Sequence, residues 1–318
     1  MRRFYDKRML WASSGPLRAM EYGQVGIASR LIQFCIQRAG ETATSKQVKS
    51  YAALTYIVFG PTSNMKIATW NVNSLKVRLP QVLQWLADNP VDVLCLQETK
   101  TVDEKFPVAE IETAGYQVTF SGQKTYNGVA ILSRHPIKDV VKNNPLYPDE
   151  QQRIIAATIE GVRIICAYIP NGQSLDSDKY IYKLSWLKGL HQWLEQEQKQ
   201  HAQLALLGDY NIAPEERDVH DPAAWVGQVL VSEPERAAFV RLQTMGLTDA
   251  FRMFEQAPKL YSWWDYRQMG FRLNRGMRID HILLSAPLAA RCSACVIDKA
   301  PRKWEQPSDH TPVIATID

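Results

Sequence analysis

The sequence predicts an α/β domain built on mixed β-sheets. Short apolar runs bounded by turn residues recur between residues 65 and 318, as expected for buried strands. Some of these runs are joined as hairpins, and others are separated by segments in which leucines repeat at helical spacing. Strands that alternate with helices favour an α/β fold, and the hairpins indicate that the sheets are mixed.

The first half of this region predicts one helix among several strands. The helix covers residues 78–89, where leucine and valine repeat at helical spacing before Pro90. Glu160 and Gly161 lie between two apolar runs and predict a hairpin. The predicted strands are residues 66–70, 91–96, 116–120, 128–133, 153–159 and 162–168.

The second half predicts two longer helices. Leucines at helical spacing mark residues 180–199, and a second helix covers residues 233–245. Pro234 lies in the first turn of that second helix, a position that suits proline. The predicted strands are residues 204–207, a run through Asp280 into residues 281–285, residues 296–298 and residues 313–317.

The composition is that of an ordinary globular protein. Hydrophobic residues make up 46% of the chain and charged residues 22%. No apolar run approaches the ~20 residues that a membrane-spanning helix needs, so no membrane association is expected. Cys95 and Cys166 lie in strand-like runs as free thiols, which favours a cytoplasmic location. Cys292 and Cys295 form a lone C-x-x-C, which is weak evidence for a metal or redox site.

Residues 1–64 differ from the rest of the chain. They carry nine basic and three acidic residues, which leaves 28 basic and 30 acidic residues in 65–318. One helix is plausible over residues 17–38, and breakers at 61–64 precede Met65. We expect residues 1–64 to be a basic extension, either poorly ordered or upstream of the true start, and residues 65–318 to form a single catalytic domain. If that domain meets nucleic acid, it must do so through a local basic patch and a metal, because its own net charge is slightly negative.

The run Gly208-Asp209-Tyr210-Asn211 ends a predicted strand in a carboxylate and a carboxamide. Asp209 and Asn211 are two residues apart, so their side chains point to the same side of an extended chain. A carboxylate can hold or deprotonate a water, and an amide can steady phosphoryl oxygens. Taken alone, an Asx turn that closes a core strand explains the pattern better.

Other predicted strands end in similar chemistry. Glu98, Asp280 and Asp309 also adjoin apolar runs, and burying such groups without partners or a metal is costly. Oxygen ligands with little clustering of cysteine and histidine favour a hard cation, Mg²⁺ or Mn²⁺. Asn71, Tyr168 and His310 lie at further strand ends. A hard cation beside a histidine and a tyrosine can hydrolyse a phosphodiester.

At these residues the chain resembles the exonuclease III family of DNA-repair nucleases, within the endonuclease/exonuclease/phosphatase superfamily. The resemblance covers residues 65–318. The motifs, in chain order, are LQETK at 96–100, GDYNIAP at 208–214, SWWDYR at 262–267, NRGMRID at 274–280 and PSDHTPV at 307–313.

The resemblance implies a DNase-I-like four-layer sandwich, with two mixed β-sheets packed face to face and helices outside. It implies a monomeric, magnesium- or manganese-dependent enzyme with one or two ions. The substrate would be double-stranded DNA with a damaged site or a 3′ end. The activities of this type are 3′–5′ exonuclease, 3′-phosphatase and abasic-site endonuclease, each leaving a 3′-hydroxyl.

The resemblance also implies a metal site. Glu98 would be the main ligand, with Asn71 beside it and Asp309 nearby, directly or through water. The full candidate set is Asn71, Glu98, Asp209, Asn211, Asp309 and His310.

The catalytic roles carried over by the resemblance fall on five residues. Asp209 would activate the attacking water or protonate the leaving 3′ oxygen, and Asn211 would hold Asp209 and donate to the phosphate. His310, oriented by Asp280, would contact the scissile phosphate. Tyr168 would act as a hydroxyl donor or a phenolate. The residues alone also allow a core role for Tyr168 and a salt bridge between Asp280 and a neighbouring arginine, Arg278 or Arg275.

Substrate contacts are expected from two groups of residues. By resemblance, the ring of Trp263 would form a small apolar pocket for a base-less sugar with Met277 and Ile279. Basic residues in loops beside the motifs are DNA-contact candidates, although each could equally be a solvated charge: Lys100, Lys124, Arg153, Arg267 and Arg275.

His220 is a departure from the family pattern. The family loop often has a small residue near this position, and an imidazole there could narrow the space for an abasic nucleotide. We hypothesise that His220 shifts the balance toward 3′-exonuclease or 3′-phosphatase work. A surface histidine without a role explains the sequence equally well.

Two further functions compete with DNA repair. One is a superfamily phosphatase that acts on a phosphoester outside DNA, which SWWDYR and NRGMRID argue against. The other is a catalytically inactive nucleic-acid-binding regulator of the same fold, which the intact set of acidic residues argues against.

Overall fold

Two β-sheets stacked face to face form the centre of residues 64–318, which are the residues described by the computed structural model. The expectations for residues 1–63, including the helix at 17–38, lie outside this part of the chain.

The first sheet brings the beginning and the end of the domain together. β1 pairs in parallel with β2 and antiparallel with β14, so the first and last strands are neighbours. Within residues 64–318 this sheet consists of β1 (Met65–Asn71), β2 (Val93–Gln97), β3 (Gln117–Ser121), β4 (Val129–Ser133), β13 (Cys292–Ile297) and β14 (Val313–Ile317), in the order β13-β14-β1-β2-β4-β3.

The second sheet is also mixed. β7 and β8 are parallel, while β8 and β12 are antiparallel. Within the same residues it consists of β5 (Lys138–Lys142), β6 (Ile154–Ile159), β7 (Val162–Tyr168), β8 (Leu204–Asp209), β9 (Leu247–Asp249) and β12 (Asp280–Ser285), in the order β5-β6-β7-β8-β12-β9. A separate short pair is formed by β10 (Trp263–Trp264) and β11 (Gly276–Met277).

Helices cover the outer faces of the sheets and complete four layers. Trp85 of the first helix packs edge-to-face on Trp70 of the first sheet, with ring centroids 6.0 Å apart. Trp186 and Leu190 of the third helix are buried against the second sheet. The α-helices of the described residues are α1 (Leu75–Asp88), α2 (Val108–Thr113), α3 (Asp178–Gln200), α4 (Glu233–Thr244) and α5 (Ala286–Ala289).

The core between the sheets is almost entirely apolar. Ile67 and Val93 of the first sheet meet Ile164 and Leu207 of the second, and all four are fully buried. Burial of aliphatic side chains on facing sheets stabilises the stack by roughly 25 cal/mol per Å² of apolar surface removed from water. The predicted four-layer sandwich of two mixed sheets is confirmed.

One predicted strand is wrong in its continuity. The sequence predicts a single strand that runs through Asp280, whereas the structure has β11 and β12 in different sheets. The hydroxyl of Ser262 accepts hydrogen bonds from the backbone of Ile279 and of Asp280, at 3.1 and 3.0 Å. These bonds take the place of ladder hydrogen bonds, so the chain can leave one sheet and enter the other at this point.

The cysteines of the described residues are all free, as expected. Cys95 and Cys166 are buried between the sheets. Cys292 and Cys295 form no disulfide. Among residues 64–318, no helix is both long enough and apolar enough to cross a membrane.

Two buried histidines make the stability of the fold depend on pH. Burial lowers the pKa of both His191 and His281 to about 4. The unfolded chain therefore binds more protons than the folded chain between about pH 6.5 and pH 4, and stability falls as the pH falls through this window.

We expect His191→Gln to reduce this acid sensitivity. The glutamine amide can replace the hydrogen bond from Nε2 of His191 to the carbonyl of Ala238, but it has no proton to gain. Between neutral and acidic pH, the free energy of unfolding of the variant should fall by up to about 3 kcal/mol less than that of the unaltered protein. Denaturant unfolding at a series of pH values measures this difference. Gln198→Ala, which removes a side-chain hydrogen bond from the same helix to the carbonyl of Met245 but no titratable group, is the control that should leave the pH dependence unchanged.

Candidate active site

Three neighbouring strands of the second sheet bring Tyr168, Asp209 and Asp280 side by side. Tyr168 is in register with Asp209 across β7 and β8. Asp280 is in register with Asp209 across β8 and β12. The strand pairing itself therefore gathers three of the predicted catalytic residues at one edge of the sheet.

The glycine before Asp209 has a steric role. Gly208 adopts φ +154°, and a Cβ at this position would meet the carbonyl oxygen of Ala167 at 1.8 Å. Only glycine allows β7 and β8 to approach this closely. The Gly-Asp sequence thus combines the close approach of the strands with the carboxylate that follows it.

The first sheet supplies the opposite side of the site. Asn71 ends β1, and Glu98 follows β2 in a left-handed conformation, with φ 52°. His310 precedes β14. The hydroxyl of Ser308 donates to the carbonyl of Asn71 at 2.7 Å and accepts from the backbone of His310 at 3.2 Å. These bonds hold the segment before β14 against the end of β1.

A single amide connects the two sheets across the site. Nδ2 of Asn71 donates to Oε1 of Glu98 at 2.8 Å and to Oδ2 of Asp209 at 2.9 Å. Asn71 is fully buried, so its amide has no water to compete for these bonds. The amide of Asn71 thus links Glu98, the predicted main metal ligand, to the predicted general base Asp209.

Asp209 is buried and strongly hydrogen-bonded. Besides Asn71, it accepts from the backbone of Asn211 at 2.9 Å and from Nδ2 of Asn211 at 3.2 Å. Burial raises the pKa of Asp209 to about 7; Asp280 adds to this effect, whereas His310 and Asn71 oppose it. A carboxyl group with a pKa near neutrality can take up and return a proton at ordinary pH.

His310 lies between two carboxylates. Its Nδ1 donates to Oδ2 of Asp280 at 2.9 Å, and its Nε2 lies 3.7 Å from Oδ2 of Asp209. Burial by itself lowers the pKa of His310, but Asp280 and Asp209 outweigh burial and raise it to about 10. The ring is therefore charged at neutral pH, and Nε2 can donate a hydrogen bond to an anion.

The alternative partner of Asp280 is excluded by geometry. The guanidinium of Arg278 pairs with Asp218 at 2.6 Å and with Asp249 at 2.8 Å. Asp280 makes its side-chain hydrogen bonds with His310.

Tyr168 carries a neutral phenol. Burial, Glu98 and Asp209 raise its pKa well above the usual range, and the nearby Arg153 opposes them only in part. The Arg153 guanidinium lies over the ring, 4.7 Å from its centroid. Of the two predicted roles for Tyr168, these charges favour the hydroxyl donor over the phenolate.

A cation fits the residues on the exposed side of the site. Ligand atoms of Glu98, Asp209 and His310 lie within 4.8 Å of one another. The carboxylate of Glu98 already attracts a cation, since Nζ of Lys100 lies 2.8 Å from its Oε2. A charged imidazole cannot bind a metal, so the oxygens of Glu98 and its neighbours are the fitting donors, and such donors suit a hard ion.

Asp309 is held by two hydrogen-bond donors. Nδ2 of Asn73 donates to its Oδ1 at 2.9 Å, and Nε1 of Trp263 donates to its Oδ2 at 3.0 Å. Burial raises the pKa of Asp309, but His310 and these donors outweigh burial and lower it overall. Asp309 is thus an anion fixed in place at the edge of the site.

The residues of the predicted base-less sugar pocket are in contact but largely covered. Met277 exposes none of its surface and Ile279 exposes 2%, while Trp263 is half-buried beside them. Leu230 packs in the same apolar cluster with φ 74°, a conformation that is unusual for leucine.

The predicted DNA-contact residues are spread around the site. Lys100 and Arg153 lie within it and contact Glu98 and Tyr168 respectively. Lys124, Arg267 and Arg275 are exposed in loops, and Arg267 pairs with Asp265.

His220 lines a cavity that is separate from Asp209 and the other catalytic candidates. Its ring borders a separate cavity of about 330 Å³ with Arg217, Phe251 and Tyr261, and neither Asp209 nor any other catalytic candidate lines that cavity. Val219, the preceding residue, packs in the cluster of the predicted sugar pocket, as does Leu230. Val219 and Leu230 are therefore the residues of this loop that pack with the predicted sugar pocket, and the role of His220 stays a prediction.

Two site residues were missed by the sequence analysis. Asn73 donates to Asp309, and its Oδ1 accepts from Nζ of Lys100 at 2.5 Å. Asn171 donates from Nδ2 to Oδ1 of Asn211 at 2.9 Å. The sequence Asn-Val-Asn at 71–73 repeats the spacing of the Asp-Tyr-Asn at 209–211, and this repetition could have identified Asn73.

The chain that carries this site is similar to proteins of a known family. The Endonuclease/Exonuclease/phosphatase family model matches residues 68–310. The exodeoxyribonuclease III of Haemophilus influenzae is 37% identical over 264 residues, which are 79% of this chain and 99% of that protein.

Two solved structures are similar to this chain in both sequence and fold. A 3′ phosphatase, NExo, from Neisseria, determined with a product DNA hairpin, is 48% identical with a TM-score of 0.79, and the match covers 80% of this chain and 99% of the other. An AP endonuclease from Archaeoglobus fulgidus is 41% identical with a TM-score of 0.78, and the match covers 80% and 99%.

The Asp280–His310 pair predicts a specific change in pH dependence. In Asp280→Asn the ring loses its carboxylate partner, so the pKa of His310 falls and the charged form is lost at lower pH. The alkaline limb of the kcat profile for phosphodiester hydrolysis should move to lower pH, with a loss of about 100-fold on that limb and a smaller loss in acid. Steady-state rates over a pH series measure this.

Asp139→Asn is the control for this variant. Asp139 is an exposed residue with φ 49° in the edge strand β5, and asparagine tolerates that conformation. A uniform loss of activity across the pH range in Asp280→Asn would contradict the role assigned to the pair.

Proposed function

The chain belongs to the exonuclease III branch of the endonuclease/exonuclease/phosphatase family and is a DNA-repair phosphodiesterase, and we propose that it uses Mg²⁺ to process 3′ ends in double-stranded DNA. The observation that carries this proposal is the meeting of Glu98, Asp209 and His310 within 4.8 Å. Glu98 offers a carboxylate to a metal, Asp209 offers a carboxyl group that can exchange a proton, and His310 offers an imidazolium that can bind a phosphate.

We assign the metal to Glu98, with the side chain of Asn71 beside it. When bound there, Mg²⁺ would neutralise charge on the phosphate oxygens and lower the pKa of a bound water. Asp209, Asn211 and Asp309 stay as neighbouring oxygen donors, directly or through water. The described residues hold one group of potential ligands, Glu98, Asp209 and His310; because we assign His310 to the phosphate, Glu98 and Asp209 remain for a single ion.

Asp209 moves the proton in this proposal. Its oxygens are fixed by the amides of Asn71 and Asn211, so the carboxyl group is oriented before a substrate arrives. With a pKa near 7 it can accept the proton of the attacking water, or return one to the leaving 3′ oxygen.

His310 and Tyr168 hold the phosphate. The imidazolium presents Nε2 as a charged donor, because Nδ1 is engaged by Asp280. The phenol of Tyr168 adds a neutral donor from the neighbouring strand. Donors fixed in a buried site stabilise charge that develops on phosphate oxygens more strongly than water does.

Two observations support a preference for 3′ ends over abasic sites. The first is the 48% identity to the Neisseria 3′ phosphatase, compared with 41% to the Archaeoglobus AP endonuclease. The second is the covered state of Met277 and Ile279, against which Leu230 packs in a strained conformation. A base-less sugar would have to displace side chains that already fill the pocket.

The physiological setting follows from the rest of the domain. We propose that residues 65–318 form the working domain and act as a monomer in the cytoplasm. The free, buried thiols of Cys95 and Cys166 are consistent with a reducing compartment. The complete set of Glu98, Asp209 and His310 speaks against an inactive regulator.

A direct test offers three labelled duplexes with and without Mg²⁺: one with an abasic site, one with a recessed 3′ end and one with a 3′-phosphate nick. We expect Mg²⁺-dependent release of the 3′-phosphate and slower cleavage at the abasic site. Glu98→Gln should lower kcat by at least about 100-fold, because it removes the main anionic metal ligand. Equal rates with a chelator present would contradict the metal assignment.

Leu230→Gly tests the origin of the substrate preference. Glycine adopts φ 74° without strain and opens the apolar cluster. The rate of abasic-site incision relative to 3′-phosphate release should rise about 10-fold or more. His220→Gly is the matched control in the same loop, and its ratio should stay unchanged because its ring faces another cavity. An unchanged ratio in Leu230→Gly together with a raised ratio in His220→Gly would instead assign the substrate preference to His220.

A further inference from the structure

A buried ammonium lies beneath the two loops that carry Asn171 and Asn211. Lys183, on α3, exposes none of its surface. Its Nζ donates to the carbonyl of Asn211 at 2.6 Å, to the carbonyl of Asn171 at 3.1 Å and to Oε1 of Glu235 at 2.5 Å. An ammonium has three protons, so all of its donors are used and its position is fixed.

Glu235 connects this ammonium to α4. Its side chain, also fully buried, accepts hydrogen bonds from the backbone of Leu230 and of Ser232, both at 3.0 Å. The hydroxyl of Ser232 donates to it at 2.5 Å. Lys183 and Glu235 thus join α3, the start of α4 and both loops at one point.

Stability alone does not account for this pair. Burying two charges costs several kcal/mol per ion, and apolar side chains of similar volume are often as stabilising. An apolar side chain cannot, however, hold two carbonyl oxygens at fixed positions. The two residues whose carbonyl oxygens are held, Asn171 and Asn211, therefore indicate what Lys183 and Glu235 do.

The held carbonyls belong to residues whose side chains meet in the active site. Nδ2 of Asn171 donates to Oδ1 of Asn211, and Asn211 in turn donates twice to Asp209. Asn211 has φ 50°, a left-handed conformation that asparagine tolerates, and its carbonyl oxygen accepts from Nζ of Lys183 at 2.6 Å. The contact from Lys183 therefore restrains the backbone of the residue whose side chain donates to Asp209.

We propose that Lys183 and Glu235 are positioning residues of the phosphodiesterase, which hold Asn211 and Asn171 so that Asn211 keeps Asp209 in its reactive orientation. This inference rests on the proposed function of Asp209. Neither residue touches the reacting atoms.

The double variant Lys183→Met/Glu235→Gln tests the proposal. It removes both charges together, keeps the volume of both side chains and leaves no unpaired buried ion. For release of a 3′-phosphate from duplex DNA, kcat should fall about 10- to 100-fold while KM changes less than about 3-fold, because misplaced catalytic groups slow the chemical step more than binding. The midpoint of thermal unfolding should stay within a few degrees of that of the unaltered protein.

The variant Arg163→Met/Glu197→Gln is the matched control. This second buried ion pair also involves α3, with Nε of Arg163 2.6 Å from Oε2 of Glu197. Arg163 also donates to the carbonyl of Asp139 in the edge strand, and it lies at the opposite end of β7 from Tyr168. Its kcat should remain that of the unaltered protein even if its thermal midpoint falls.

A spectroscopic measurement separates positioning from general support. With isotope-labelled asparagine, the side-chain amide resonances of Asn171 and Asn211 should shift or broaden in the Lys183→Met/Glu235→Gln variant. The amide of Asn89, which donates to the carbonyl of Trp85 at the end of α1, should not move. If the double variant does not fold, Lys183→Gln replaces it and should lose about 10-fold in kcat.

Two results would overturn the proposal. One is an unaltered kcat in a folded Lys183 variant. The other is a loss of kcat in both double variants that follows their loss of stability, since that describes structural support alone. The proposed function fails separately, if the unaltered protein itself releases no 3′-phosphate.

Discussion

The pairing of β8 with β7 on one side and β12 on the other is the constraint on which the site depends. It puts Tyr168, Asp209 and Asp280 in register, so their spacing follows from strand geometry and needs no loop to set it. The close approach at Gly208 is possible only because that residue has no side chain. Loops then add Asn211 and His310 to a frame that is already rigid, which is the arrangement that catalytic geometry requires.

The same frame creates an electrostatic problem that the structure solves with one cation. Asp209 and Asp280 are neighbours in a buried place, where two negative charges would repel each other strongly. His310 contacts Asp280 directly and lies 3.7 Å from Asp209, so a positive charge is shared between them. The two carboxylates raise the pKa of His310, whereas burial and Asp280 raise the pKa of Asp209 against the opposing charge of His310. A charged donor and a proton-accepting carboxyl group at neutral pH are therefore consequences of one cluster.

Much of the fold could be predicted because burial leaves a clear pattern in the sequence. β7 matches its predicted range of 162–168, since both ends are marked by turns and the run between them is apolar. The edge strand β5 was missed because its side chains are mostly exposed and alternate too weakly to be recognised. Lys183 was invisible for a different reason: a lysine in a helix resembles a solvated charge, and only the tertiary fold shows that its ammonium is enclosed. Sequence spacing likewise could not predict which cavity His220 lines.

The site finally depends on how the two sheets are aligned, because each sheet contributes different chemistry. Of the proposed metal ligands, Asn71 ends β1 and Glu98 follows β2 in the first sheet, whereas Asp209 ends β8 in the second. An apolar interface alone would permit small sliding movements, since its contacts are not directional. Gln97 removes that freedom, because its Nε2 donates to Oγ1 of Thr69 at 2.9 Å and across the interface to Sγ of Cys166 at 3.2 Å. Buried hydrogen bonds of this kind would be lost on sliding, and leaving their groups unpaired costs about 1–3 kcal/mol each. The distance from Asn71 and Glu98 to Asp209 is therefore fixed by polar contacts in the core, made by Gln97 next to Glu98.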